Sequence, residues 1–178
     1  MTGDSPLPIV CDATVVLNLG QRGELGHIAG KLRHARTLYV TPEIVAEVSK
    51  VDPDFYRGFI SAHFEVHTAI ESPLPPCPDP SIGQLDAGEV SVLMACRAHG
   101  WVAGIDEREG RKAAQFFRIP LLGTIGILEE AVAAGWMDAD QALEAVSRMR
   151  QRGFHCPKVL SNDDFSEYIS RLRSSNAI

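Results

Sequence analysis

Apolar residues fall along this chain in two alternating rhythms. Short, nearly continuous apolar runs, "PIVCDA" (8–13), "TLYV" (37–40), "WVAGID" (101–106) and "IPLLG" (119–123), have the length and β-branched content of buried strands. Between them the spacing changes to that of helices. Leu17, Leu25, Ile28 and Leu32 carry a helical stripe through "VVLNLGQRGELGHIAGKLRHA", interrupted by glycines. "TPEIVAEVSKV" starts a helix with Thr41 as N-cap and Pro42 at the first helical position. Residues 55–70 read as a helix followed by the strand "FEVHTAI", and "ESPLPPCPDPSIG" (71–83), with five prolines, reads as loop.

Strong patterning resumes at once. "LDAGEVSVLMACRAHG" (85–100) predicts a helix between Asp86 as N-cap and Gly100 as C-cap. "REGRKAAQFFR", "TIGILEEAVAAG", "DADQALEAVSRMRQRG" and "SNDDFSEYISRLR" predict four more helices. Strands alternating with helices imply a mostly parallel sheet covered on both faces. The expected fold is a three-layer α/β/α sandwich forming a single domain over residues 1–178. Its core spans about residues 8–135, and a helical C-terminal extension covers about 136–178. In such sheets ligands gather beyond the carboxyl ends of the strands, which directs attention to the ends of "PIVCD" and "WVAGID".

Composition narrows the classes. A chain of 178 residues, 45% hydrophobic and 22% charged, has ordinary globular content. No apolar run approaches the roughly 18 residues of a membrane span. "MTGDSPLPIV" lacks the basic and apolar regions of a signal peptide, so a cytoplasmic protein is expected. The net charge of −6 argues against a generic basic nucleic-acid surface. It leaves room for a nucleic-acid enzyme whose acidic site is neutralised by divalent cations. Cys11, Cys77, Cys96 and Cys156 are scattered without ligand spacing, so neither a structural zinc site nor a disulfide framework is expected. The six histidines are dispersed, and none pairs with a plausible Ser or Cys nucleophile. P-loop, G-x-G-x-x-G and G-x-S-x-G motifs are absent from the sequence.

Four acids stand out. Asp12 interrupts an apolar stretch, and Asp106 holds the equivalent place after Val102 and Ile105. Each could simply cap the following helix. Two strands ending in Asp favour a joint site over two unrelated caps. Glu47 lies roughly 40° from the edge of the Ile44–Val48–Val51 stripe, where it is either an ordinary boundary residue or directed at the sheet. Glu89 falls on the apolar side of its helix, while Asp86-x-x-Glu89 is also a capping box that would explain both residues without chemistry. Converging carboxylates repel one another and need a shared cation. Oxygen donors alone suit one or two Mg²⁺ or Mn²⁺ ions. An Asp-nucleophile phosphohydrolase would want a second Asp where Thr14 stands.

"IVCDATVVLNL", "TPEIVAEV", "LDAGEVSVLMA", "GIDEREGRKAA" and "IPLLGTIGILEEAVAAG" occur in the order seen in PIN domains. Over roughly residues 8–135 the chain resembles the DUF3368-type branch, usually grouped with toxin–antitoxin nucleases. The resemblance implies a Mg²⁺- or Mn²⁺-dependent endoribonuclease leaving 5′-phosphate and 3′-hydroxyl ends. It implies Asp12, Glu89 and Asp106 as metal ligands, with Glu47 as a further catalytic acid. Thr14 stands where the family usually has Ser or Asn and would orient Asp12 or bind a phosphate. Glu107 replaces the family's second Asp and would bind substrate or support the site, and Arg111 would contact substrate or pair with the acids. A homodimer, an RNA substrate and, for a toxin, a small antitoxin partner are also implied. The competing expectation keeps the fold without catalysis, as a binding module.

Overall fold

The computed structural model describes residues 6–20, 25–77, 79 and 82–153. The predicted helix "SNDDFSEYISRLR" and Cys156 lie outside them. The chain divides into two compact units, residues 1–123 and 124–178.

The first unit is built on a four-stranded parallel sheet of order β3-β2-β1-β4. In chain order its strands are β1 (Ile9–Cys11), β2 (Leu38–Val40), β3 (Glu65–Val66) and β4 (Val102–Gly104). Its helices are α1 (Ala13–Gly20), α2 (Gly26–Ala35), α3 (Pro42–Val48), α4 (Pro53–His63), α5 (Ala87–His99) and α6 (Arg108–Phe116). Every residue of β1 and β4 is buried. Because successive strand residues face opposite sides, both faces of the sheet centre are covered, as continuous apolar runs require. Val10 of β1 pairs with Tyr39 on one side and Ala103 on the other, which fixes the strand ends level with one another.

Local chemistry sets the helix boundaries. Thr41 accepts from the Ile44 amide and Asp52 from the Phe55 amide, and proline follows each cap. Asp86 and Glu89 form a complete capping box on α5, which ends at Gly100 with φ of 68°. The long glycine-interrupted helical stripe is two helices, α1 and α2.

Two predicted strands are shorter in the structure. "FEVHTAI" contributes only Glu65–Val66, after which the His67 amide still donates to the Val40 carbonyl. "IPLLG" contributes a single bridge, Ala103 to Leu121, supported by Ala103 N–H to Pro120 O and Leu122 N–H to Ala103 O. Pro120 has no amide to extend this ladder, and helix begins at Thr124. The second unit carries α7 (Thr124–Ala133) and α8 (Ala139–Gln151), the latter opened by an Asp138–Gln141 capping box. Among the described residues no helix is long and apolar enough to cross a membrane.

Candidate functional site

The parallel register brings the ends of neighbouring β1 and β4 together. Asp12 follows β1 directly and is 3% exposed, and Asp106 lies two residues beyond β4 at 6% exposed. The Asp106 amide donates to Asp12 Oδ2 at 3.2 Å, while Asp12 Oδ1 accepts from the Val15 amide at 2.7 Å. The capping explanation for Asp12 therefore holds in full, since Val15 is the third residue of α1. It does not exhaust the carboxylate, whose second oxygen faces Asp106. For Asp106 capping is not the account. The cap position of α6 is Glu107, which makes no side-chain cap bond, and Asp106 Oδ2 instead accepts from Asn18 Nδ2 at 3.3 Å.

Burial, and then the Asp106 charge, hold the Asp12 carboxyl well above the usual carboxylate range against two backbone amides that pull it down. Glu107 adds to the rise. Its charge also helps raise Glu47 and Glu89, in both of which loss of hydration to neighbouring protein atoms is the leading cause. The charge of Glu107 thus bears on all three. Its Oε1 accepts from Thr14 Oγ1 at 3.2 Å, so Thr14 is turned toward Glu107.

Glu89 is buried and engaged through both oxygens. Oε2 closes the capping box on the Asp86 amide at 3.0 Å, and Oε1 accepts from the Gly110 amide at 3.0 Å. One carboxylate therefore serves the first turn of α5 and supplies the side-chain cap that Glu107 does not give α6. A Cβ at Gly110 would lie 2.7 Å from Glu89 Oε1 and 2.8 Å from Ile105 Cγ2, so this approach needs glycine. Each carboxylate oxygen has a second lone pair free for a cation. Glu47 is exposed on α3, and its Oε2 lies over the start of α5, where a Cβ on Gly88 would meet it at 3.2 Å.

Arg111 lies behind the acids. Its Nη1 donates to the Ile105 carbonyl at 3.1 Å, one residue before Asp106, and crowds Gly123 together with Asp106 Oδ1. That contact makes it a support of the strand end. Glu109 accepts from the Gly83 amide at 2.7 Å and pairs with Lys112 at 3.3 Å, pinning the end of the proline-rich segment. Asn18 was missed by the sequence reading. It is 5% exposed on an apolar helix, four residues after Thr14 and hence on the same face. That buried polar position at i+4 was the available signal.

Cys11 and Cys96 are buried among apolar neighbours, where burial pushes the Cys96 thiol up to about 12, consistent with packing rather than reactivity.

The donor set fits a hard divalent cation. It consists of oxygens, and burial holds Asp12 and Glu89 above their ordinary range, helped by Asp106 and Glu107 at Asp12 and by Asp86 and Glu107 at Glu89, charges that a cation would offset.

Comparison with known proteins agrees with this fold. The solved structure of a PilT N-terminus domain protein from the hyperthermophilic archaeon Sulfolobus solfataricus P2 matches with a TM-score of 0.52 at 14% identity. The match covers 71% of this chain and 94% of that one, a likeness of fold. None of the curated proteins matches. The DUF3368 family profile, described as a PIN domain, matches residues 8–167, most of the chain. The chain belongs to the PIN-domain family, in its DUF3368 group.

Proposed function

We propose that the protein is a metal-dependent endoribonuclease. PIN domains are generally nucleases acting on nucleic acids, and they usually use divalent metals. The observation that carries the reading is the pair of buried carboxylates, Asp12 and Asp106, held against each other at adjacent parallel strand ends.

In this reading Asp12, Asp106 and Glu89 would hold one or two Mg²⁺ or Mn²⁺ ions. Asn18 and the backbone amides of Val15 and Gly110 fix the aim of those carboxylates. The chemistry supplied by such ions when bound is neutralisation of phosphate charge and activation of a water for in-line attack. Glu47 and Glu107, both exposed, would accept a hydrogen bond from the attacking water, and the leaving 3′ oxygen would take its proton from solvent. Thr14, tied to Glu107, orients that side chain or donates to a phosphate oxygen. Arg111 keeps the Ile105–Asp106 turn in place. The products would carry 5′-phosphate and 3′-hydroxyl ends.

The test is cleavage of an RNA panel, structured tRNA included, with and without Mn²⁺, by wild type and Asp106→Asn. Cleavage that needs Mn²⁺ and is lost in the variant is expected. Wild type that cleaves nothing and shows no Mn²⁺-induced rise in Tm would instead support a PIN fold acting as a binding module. The reading extends to a cytoplasmic homodimer and, for a toxin, to a small antitoxin, checked by light scattering and by co-purification from the native host.

A further inference from the structure

A second cluster of ligand-type side chains lies apart from the acids. His67 follows β3, Glu71 begins the proline-rich segment, and His99 is the last residue of α5. His67 Nε2 and His99 Nε2 both approach Glu71 Oε1, at 2.9 and 2.8 Å. Their three donor atoms all lie within 4.8 Å of one another. His99 is ten residues along α5 from Glu89, roughly 15 Å at the helical rise, so the clusters are separate.

We propose that His67, Glu71 and His99 form a binding site for a zinc-class transition-metal ion. Two imidazoles and a carboxylate suit Zn²⁺, whereas oxygens alone suit Mg²⁺ or Mn²⁺. Two ring nitrogens aimed at one carboxylate oxygen have the convergence that a shared cation requires. With bonds of about 2.0–2.1 Å, tetrahedral donors sit roughly 3.3–3.5 Å apart, so the two nitrogen–oxygen separations of 2.9 and 2.8 Å would open by roughly 0.5 Å, and the two ring nitrogens, within 4.8 Å of each other, would close by at most roughly 1.5 Å.

The rings are held before any ion arrives. Trp101 stacks on His99 at 4.2 Å and 19°, and meets His67 edge-on at 5.2 Å and 78°. Tyr39 of β2 stacks on Trp101 at 4.5 Å and 11°, tying the aromatic group to the sheet. The His67 amide is anchored on the Val40 carbonyl. Ring orientation fixed by neighbours is what tunes a histidine metal site. Three protein donors leave a fourth position for water; two of them, His67 and Glu71, line a cleft with Thr41, Ile70, Ser91 and Met94, and the His99 side chain is 39% exposed. Bound there, the ion would clasp the segment after β3 to the end of α5.

The site stands independently of the nuclease reading, and the test keeps them apart. The full-length protein, stripped with EDTA and dialysed, is titrated calorimetrically with Zn²⁺ and, in parallel, with Co²⁺ followed by its visible spectrum. Wild type and an Asp12→Asn/Asp106→Asn double variant are both expected to bind one Zn²⁺ tightly, with Co²⁺ giving the intense bands of a four-coordinate site. Glu71→Gln, which retains an oxygen to accept from both rings, is expected to weaken Zn²⁺ at least about 10-fold, and His99→Gln more. No Zn²⁺ uptake by wild type would overturn the proposal and leave a plain hydrogen-bonded tie. So would uptake that Glu71→Gln leaves unchanged, or that disappears with the acid-site double variant. Should His99→Gln fail to fold, Glu71→Gln alone decides.

Discussion

The acid cluster and the His67–Glu71–His99 group offer two ways of bringing charged donors together on one small sheet. At the ends of β1 and β4, like charges are buried side by side, and Asp12 is pushed away from its ionised form by burial and by Asp106. In the histidine group the donors are complementary, and two ring N–H groups satisfy the Glu71 oxygen directly. The first arrangement keeps a mutual repulsion that a cation would offset, and the second is already satisfied by protons. Buried like charges persist where function requires them, since replacement by apolar residues commonly costs the fold nothing.

The sharpest way to break the comparison is Asp106→Asn. Loss of a ligand carboxylate should cut Mn²⁺-dependent RNA cleavage by more than about 100-fold, beyond the ~10–100-fold typical of supporting residues. It should also abolish any Mn²⁺-induced rise in Tm, and survival of both would remove Asp106 from the site. Asn18→Ala comes next. It leaves every carboxylate in place but removes the Asn18 Nδ2 donor to Asp106 Oδ2, so activity or Mn²⁺ affinity should fall by about 10–100-fold, with kcat measured at saturating Mn²⁺ largely recovered.

Gly110→Ala probes the packing beneath Glu89. Its Cβ would strike Glu89 Oε1 and Ile105 Cγ2, costing about 1–3 kcal/mol by overpacking. Thermal denaturation should show a Tm lower by roughly 2–10 °C. Gly58→Ala in α4 is the control: nothing lies within 4 Å of that site, so no loss is expected.

A pH series separates the groups by electrostatics. Asp12, Glu47 and Glu89 all have raised carboxyls, so protonation favours the fold. Their contribution is fully present below the ordinary carboxylate range, about 4, and is lost as pH rises through the raised values. In EDTA, Asp106→Asn should relieve Asp12 and be more stable than wild type by about 2–4 °C near neutral pH, the equivalent of roughly 1 kcal/mol. The gap should close toward acid, and Mn²⁺ should reverse its sign at neutral pH. A gap that does not vary with pH would contradict the repulsion. The smallest effect belongs to the satisfied group: without zinc, Glu71→Gln should shift Tm by less than about 2 °C, because an oxygen still accepts from both rings.

Much of the frame was legible from local pattern. Caps at Thr41, Asp86 and Gly100 and the apolar runs of β1, β2 and β4 act between residues three or four apart, so the chain displays them directly. The strand endings "FEVHTAI" and "IPLLG" were read too long, because pairing partners, not propensity, set where a ladder stops.

By itself, then, the sequence determined the strand–helix order, and with it the candidacy of Asp12 and Asp106 as strand-end acids. Only the tertiary structure decided which side chains meet. Asn18 reaches Asp106 across 88 positions, and Glu71 reaches His99 across 28. Glu89 spans from one helix start to another, and the charge of Glu107 bears on three other acids. These meetings follow from the order β3-β2-β1-β4 and its register, which place distant segments side by side. Periodicity records which face a residue occupies, whereas a site depends on what the opposite face brings, and sheet order supplies that.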